Sequence, residues 1–328
     1  MTIGRSLPHL RLRERDIPVP SSVSEQARAI LALGPLAPTP EWPALDDADG
    51  WRTLIAEMDR TALAMAPASD AAREVAVEEI SAGGSRVYVI TPHAFDPDDR
   101  RVYLEFHGGA FTQGGGEICR LRGIDNALRV GVRSWSVDYR MPPDHPYPVP
   151  LDDCLAAYRA LLEQRDPGEI VVGGVSAGAN LAAAMILRAR DEGLPLPAGV
   201  VLATPAADLT ESGDTWQTNR GLDNILTGPT PSTLLYAGAA DLRDPYVSPL
   251  FGDFHAGFPP ALLLSGTRDM LLSDTVRLHR AMRSAGVRAE LHVWEAAGHG
   301  GFLGRAPEDD DRAEEIRRFT TACWSGRA

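Results

Sequence analysis

The stretch "VVGGVSAGANLAAAM", residues 171–185, decides the fold, because a tight turn joins a short β-branched run to an alanine-rich helical run. Gly174, Ser176 and Gly178 have the spacing G-x-S-x-G. A turn with glycine at those two positions lifts the serine hydroxyl out of a sheet, where it can act as a nucleophile. A glycine–serine turn can also match this pattern by chance, so the rest of the chain must decide between the two interpretations.

Downstream of Arg73 the chain alternates between β-rich and helical runs. The first two β-rich runs flank "SAGG" and predict a hairpin, and helical stretches separate most of the others. Such alternation predicts an α/β fold with a mostly parallel, eight-stranded sheet and helices on both faces. The eight runs are "EVAVEEI", "SRVYVI", "RVYLEF", "VRSWSV", "EIVVGG", "GVVLAT", "ALLLSG" and "AELHVWE".

Two segments depart from this alternation. Residues 1–75 contain helical patterns without a strand, and we expect Ser21 or Ser22 to cap the first helix and Asp49 the second. Residues 208–258 contain no convincing strand and carry several aromatic residues. The expected organisation is therefore an N-terminal helical part at 1–75, a catalytic core at 76–207 and 259–328, and an insertion at 208–258.

Charge and composition exclude several classes of partner. The chain has 32 basic and 45 acidic residues, a net charge of −13 and a pI near 5.1. Such a field repels nucleic acid and anionic lipid, so we expect neither as a partner.

The cysteines Cys119, Cys154 and Cys323 lack disulfide or metal-ligand spacing, and no apolar run has the length of a signal peptide or a membrane span. We expect a cytoplasmic protein without a metal or cofactor.

Few polar residues directly follow predicted strands, where ligands of parallel sheets bind. They are His107, Asp138, Ser176, Asp269 and His299. A serine becomes a nucleophile when an imidazole takes its proton and a carboxylate orients that imidazole. The order Ser176, Asp269, His299 therefore predicts a catalytic triad, with His299 in the glycine-rich loop "AAGHGGF".

The stretch "FHGGAF", residues 106–111, follows a strand upstream of the serine. Backbone N–H groups in such a loop can stabilise the negative oxygen of a tetrahedral intermediate, and glycine lets the backbone come close. The stretch therefore predicts an oxyanion hole, the alternative being an ordinary glycine turn.

Four stretches resemble the hormone-sensitive-lipase-like branch of the α/β-hydrolases, the bacterial carboxylesterases with an HGGG-type loop. They are "HGGAFTQG", "DYRMPPDHPYPVPLDD", "GGVSAGANLA" and the pair "SGTRDMLLSD" with "WEAAGHGGF". The resemblance extends from about residue 75 to the C-terminus. It implies an α/β-hydrolase fold whose N-terminal part and insertion form a helical cap. It also implies Ser176 as nucleophile, His299 as base and Asp269 as acid, with oxyanion donors in the loop of Gly108, Gly109 and Ala110 and at Ala177.

The chain departs from the family pattern at two positions. Val175 stands where an acidic residue usually precedes the serine, and Ala110 stands in place of the third loop glycine. We expect Val175 to mark a different substrate preference. Alanine keeps its N–H, so we expect the oxyanion hole to survive if Ala110 does not need a positive φ.

The expected activity is hydrolysis of small to medium, apolar esters. We expect Phe111, Val175, Trp216 and Phe302 to contact the substrate, although aromatic residues of the insertion can instead pack a core of its own. The alternatives are a lactone hydrolase (of monoterpene lactones, for example), a peptidase or acyltransferase with the same triad, and a non-catalytic receptor for a small molecule. A homodimer is one alternative for the oligomeric state.

Overall fold

A computed structural model of the chain describes residue 10 and residues 16–35, 40–65, 70–228 and 231–328. Its centre is an eight-stranded sheet in the order β1-β2-β4-β3-β5-β6-β7-β8. Only the β1–β2 and β2–β4 pairs are antiparallel. The remaining pairs are parallel, which confirms the predicted sheet. The strands are β1 (Val75–Ala82), β2 (Ser85–Pro92), β3 (Val102–Phe106), β4 (Arg133–Asp138), β5 (Ile170–Val175), β6 (Gly199–Ala203), β7 (Ala261–Gly266) and β8 (Ala289–Trp294).

Neighbouring residues of the central strands enter two different apolar clusters. Leu104 and Val172 pack into a large cluster on one face of the sheet. Tyr103 and Val171, one position earlier, pack into a second cluster with Phe319 on the other face. Because successive side chains of a strand point to opposite faces, helices cover both faces of the sheet. Burial on both faces explains why these strands are continuous apolar runs in the sequence.

Nine α-helices occur within the described residues. They are α1 (Glu25–Leu31), α2 (Ala48–Met65), α3 (Glu117–Val130), α4 (Val149–Leu162), α5 (Ala177–Asp191), α6 (Thr215–Thr218), α7 (Ser232–Ala237), α8 (Leu272–Ser284) and α9 (Pro307–Trp324). None of them is long and apolar enough to cross a membrane. In the insertion at 208–258, outside residues 229 and 230, the structure contains α6 and α7 and no strand.

The predicted caps of the first two helices are wrong. Ser24, and not Ser21 or Ser22, caps α1, because its side chain accepts a hydrogen bond from the N–H of Ala27. Asp49 lies inside the first turn of α2. Asp47 accepts the N–H of Gly50 at 2.9 Å, so the capping oxygen lies two residues earlier than predicted. Several polar residues precede each helix, and at α1 a tertiary contact distinguishes Ser24, whose N–H and hydroxyl donate to the Glu308 carboxylate.

The N-terminal helices contact the turns that follow the strands. Helix α1 packs Ala27 and Ile30 against Phe302 in an apolar cluster. Helix α2 reaches a different turn, where an Asp59 oxygen accepts the N–H of Gly114 at 3.0 Å. Residues from outside the sheet therefore support its functional edge.

Candidate active site

Ser176 lies in a strained turn between β5 and α5. Its φ is 58° and its ψ is −118°, a conformation that L-residues rarely adopt. A Cβ on Gly178 would lie 2.0 Å from the carbonyl oxygen of Phe106, and one on Gly174 would lie 2.3 Å from the carbonyl oxygen of Gly178. Both glycines are therefore required by close packing, and the G-x-S-x-G spacing has a steric cause.

Hydrogen bonds connect Ser176, His299 and Asp269. The Ser176 Oγ lies 2.9 Å from His299 Nε2, and His299 Nδ1 lies 3.1 Å from Asp269 Oδ1. A carboxylate only accepts, so Nδ1 carries the proton and Nε2 is left to accept from the serine hydroxyl. The structure thus brings together the three residues that the sequence predicts as a triad.

The buried Asp269 carboxylate is fixed by two further donors. Its Oδ2 accepts the Ser265 hydroxyl at 2.7 Å, and its Oδ1 accepts the N–H of Leu271 at 2.9 Å. Burial by itself lowers the pKa of His299, but the carboxylates of Asp269 and Asp223 outweigh it, so the pKa lies above its ordinary value. The site therefore stabilises the positive charge that forms when the imidazole takes a proton.

The predicted oxyanion loop passes directly beside the serine. A Cβ on Gly108 would lie 2.8 Å from the carbonyl oxygen of Val175 and 3.3 Å from the Cβ of Ser176. Gly109 has a φ of 123° and Ala110 a φ of 51°. The condition attached to the sequence prediction, that Ala110 does not need a positive φ, is therefore not met. The left-handed conformation costs an alanine about 1–2 kcal/mol, but its N–H is retained.

His107 and Tyr139 support the predicted oxyanion loop. Their rings stack at 4.1 Å, and the Tyr139 hydroxyl donates to the carbonyl oxygen of His107 at 2.7 Å. His107 Nδ1 lies 2.8 Å from the carbonyl oxygen of Gly108. Burial lowers the pKa of His107 to about 3, so its ring is neutral and donates through Nδ1. His107 therefore supports the loop and is not positioned as a second base.

Comparison with known proteins decides the family. Residues 103–303 match the family described as having the alpha/beta hydrolase fold. An acetyl-hydrolase of Streptomyces hygroscopicus is 34% identical over 204 residues, which are 61% of this chain and 68% of the relative. The crystal structure of esterase E25 has a TM-score of 0.85 and 35% identity, over 95% of this chain and 98% of that one. An esterase of the bacterial hormone-sensitive lipase family has a TM-score of 0.75 and 29% identity, over 90% and 97% of the two chains.

The chain belongs to the α/β-hydrolase family, in its branch of hormone-sensitive-lipase-like carboxylic ester hydrolases. This confirms the resemblance drawn from the sequence.

The four residues that the sequence predicts as substrate contacts occupy different environments in this hydrolase. Phe111 is buried and stacks on Tyr236 of the insertion at 3.9 Å, so it joins the oxyanion loop to the covering segment. Val175 is partly buried beside the serine. Trp216 packs into a small apolar cluster with two residues that follow Asp269, and Phe302 packs against α1. These contacts give Trp216 and Phe302 a packing role and do not support substrate contact.

Within the described residues, one group of side chains has the composition of a metal site. Ligand atoms of His107, Cys119 and Asp138 lie within 4.8 Å of one another. The Asp138 carboxylate already accepts the N–H of Gly116 at 2.8 Å, and Cys119 Sγ lies 3.3 Å from the Ser136 hydroxyl. Burial raises the pKa of the Cys119 thiol, which keeps it protonated. These partners favour a structural role, so the expectation of a metal-free enzyme stays a prediction.

Sequence reasoning missed two buried residues of the insertion, Asn219 and Asp223, which bond to the turns that carry Asp269 and His299. Neither residue follows a strand or belongs to a recognisable motif. Only the three-dimensional structure reveals their proximity to the triad.

Proposed function

We propose that this hydrolase cleaves carboxylic esters of small to medium, apolar substrates through an acyl-enzyme on Ser176. His299 acts as general base and then general acid, and Asp269 orients it. The observation that carries the proposal is the pair of hydrogen bonds from Ser176 Oγ to His299 Nε2 and from His299 Nδ1 to Asp269 Oδ1. This arrangement lies at the carboxyl ends of parallel strands, where an α/β sheet binds its ligand.

In the acylation step, His299 Nε2 takes the Ser176 proton while Oγ bonds to the ester carbonyl carbon. The tetrahedral intermediate collapses as Nε2–H gives that proton to the departing alkoxide oxygen, which releases the alcohol. In deacylation, His299 takes a proton from water, and the resulting hydroxide attacks the acyl carbon. Collapse releases the acid and returns the proton to Ser176, so one ester and one water become one acid and one alcohol.

The negative oxygen of each intermediate would accept N–H groups of Gly109, Ala110 and Ala177. Ala177 is the first residue of α5, and the first N–H groups of a helix have no partner within the helix. The helix dipole adds a partial positive charge at the same end. Gly108 supports the hole by its lack of a side chain, which lets the loop lie against Ser176.

The preference for small, apolar substrates rests on the covering segments and on the relatives. Phe111 of the oxyanion loop stacks on Tyr236 of the insertion, so an aromatic pair joins the loop to the insertion. The relative from Streptomyces hygroscopicus is named an acetyl-hydrolase, and a crystal of the structural neighbour EstE5 was soaked with p-nitrophenyl butyrate. We infer short acyl groups for this chain as well.

A substrate panel on three proteins tests the proposal. Wild type, Ser176→Ala and the control Ser284→Ala, at an exposed position of α8, are assayed on p-nitrophenyl acetate, butyrate and octanoate and on a set of lactones. We expect wild type and Ser284→Ala to hydrolyse acetate and butyrate fastest and Ser176→Ala to be inactive while folded. Faster turnover of lactones would favour the lactone hydrolase, and an active Ser176→Ala would exclude the triad.

A further inference from the structure

Asp223 belongs to the insertion, between α6 and α7, yet its side chain reaches the edge of the sheet and is fully buried. Its Oδ2 accepts the N–H of Met270 at 3.0 Å and the N–H of His299 at 3.2 Å. Met270 directly follows Asp269. One carboxylate oxygen of Asp223 therefore bridges the turn that carries Asp269 and the turn that carries His299.

The other oxygen of Asp223 is also occupied. Oδ1 accepts the N–H of Ile225 at 2.9 Å and the N–H of Leu226 at 3.1 Å. Burial raises the pKa of Asp223, while His299 and the N–H donors oppose that rise. A proton on either oxygen would face an N–H donor, so the contacts fit the ionised carboxylate. The four bonds together also fix the side chain of Asp223 in one orientation.

Asn219 of the same segment holds the acid turn from its other side. Its Nδ2 donates to the carbonyl oxygen of Asp269 at 2.8 Å and to that of Thr267 at 3.2 Å. The Asp269 backbone is thus held directly by Asn219, and the next residue by Asp223.

We propose that Asp223 is a positioning residue of the esterase, which fixes the spacing of the Asp269 and His299 turns and stabilises the positive charge that forms on His299. This inference rests on the proposed function, because it assigns a role within the same triad. It also makes the insertion a structural part of the catalytic site, in addition to a cover.

The charges that face His299 predict the direction in which its pKa shifts when Asp223 is replaced. Asp269 and Asp223 raise the pKa of His299, and the Arg312 guanidinium of α9 lowers it, while burial also lowers it. Loss of the negative charge at Asp223 therefore lowers the pKa of His299. The rise of kcat/KM on the acid side of its pH profile, called the acid limb here, reports this pKa in the free enzyme. The acid limb should therefore move to lower pH when Asp223 loses its charge.

Asp223→Asn is the decisive variant, and Asp274→Asn is its matched control. Asp274 is also buried, and it joins the insertion to α8 by accepting the N–H of Asp208 at 3.0 Å. It bonds to neither of the two turns in question. Burial raises the pKa of Asp274, so the amide replaces a group that already favours its neutral form.

We expect Asp223→Asn to lower kcat on p-nitrophenyl butyrate by about 10- to 100-fold, with KM within about twofold, because a small misplacement of reacting groups is costly. The acid limb of its kcat/KM profile should lie at lower pH than that of wild type. Asp274→Asn should keep the wild-type kcat, and the acid limb of its kcat/KM profile should stay at the wild-type pH. A merely structural role would lower the active fraction of Asp223→Asn without moving the limb, and that result would overturn the proposal.

Asp223→Glu keeps the charge and supplies a second variant if the amide does not fold. We expect its limb to stay near that of wild type while kcat falls, because the longer side chain displaces the carboxylate. Failure of both variants to fold beside a folded Asp274→Asn would assign Asp223 to fold stability and overturn the positioning role. An inactive wild type in the same assay would instead contradict the proposed esterase function itself.

Discussion

The turns that follow the strands and the segments that we expect to cover them contribute to the site in different ways. The turns carry the groups that would react, namely Ser176, Asp269, His299 and the oxyanion loop. The covering segments hold those turns in place through Asp59 of α2 and through Asn219 and Asp223 of the insertion. Reactive groups therefore follow the topology of the sheet, whereas part of their support comes from α2 and from the insertion, in whose described residues no strand occurs.

This comparison predicts that changes in the turns have the larger effects, and the largest belongs to Asp269→Asn. The amide can donate to Nδ1 and so favours the tautomer that cannot accept the serine proton. We expect kcat to fall about 10⁴-fold with the fold intact, as judged by far-UV circular dichroism. Loss of less than tenfold would show that a different carboxylate orients His299.

Gly108→Ala tests the close approach of the oxyanion loop. The new Cβ would lie 2.8 Å from the carbonyl oxygen of Val175, which forces the loop away from Ser176. We expect kcat to fall about 100-fold, the loss typical of a missing oxyanion donor. Gly168→Ala is the control, because a Cβ there has nothing within 4 Å and activity should stay at the wild-type level. Equal activity of both variants would separate the loop from catalysis.

Removal of residues 1–45 tests the covering segments. It deletes α1 and both hydrogen bonds from Ser24 to the Glu308 carboxylate, and it exposes Phe302 beside the turn of His299. We expect activity to fall about tenfold through misplacement of that turn, while the strand signal in circular dichroism is kept. Removal of residues 1–16 keeps α1 and serves as the control. Loss of the strand signal in the longer deletion would place this segment in the core.

Ala110→Gly has the smallest expected effect. Glycine relieves the left-handed strain at φ 51° but gains freedom in the unfolded chain, so the two changes oppose each other. We expect kcat/KM within about threefold of wild type and the free energy of unfolding within about 1 kcal/mol of it. Ala160→Gly, inside α4, should lose about 1 kcal/mol by comparison. An equal loss in both variants would show that Ala110 is not strained.

The sheet and the three residues of the proposed triad can be predicted from the sequence because both follow from local patterns. Central strands that are buried on both faces are continuous apolar runs, and Ser176 and Asp269 come shortly after such runs. His299 follows the partly exposed edge strand β8. The left-handed conformation of Ala110 could not be predicted, because the packing of the loop against Ser176 imposes it.

Long-range contacts explain the other differences. Asp223 bonds to a residue 76 positions away, and nothing in its own neighbourhood marks that partner. Phe302 lies in a glycine-rich loop that suggests a pocket, but its neighbours come from α1 at the opposite end of the chain. The cap of α1 was misplaced for a related reason, since Ser24 is fixed partly by Glu308. Each of these features depends on segments that local patterns cannot bring together.

Trapping of the acyl-enzyme is the direct test of Ser176 as the nucleophile. Wild type is mixed with p-nitrophenyl butyrate and quenched in acid within milliseconds, and its peptides are analysed by mass spectrometry beside those of Ser176→Ala. We expect a burst of one p-nitrophenol per enzyme and a butyryl group on Ser176, both absent from the variant. A butyryl group on another residue of wild type, or hydrolysis with neither burst nor adduct, would contradict this assignment.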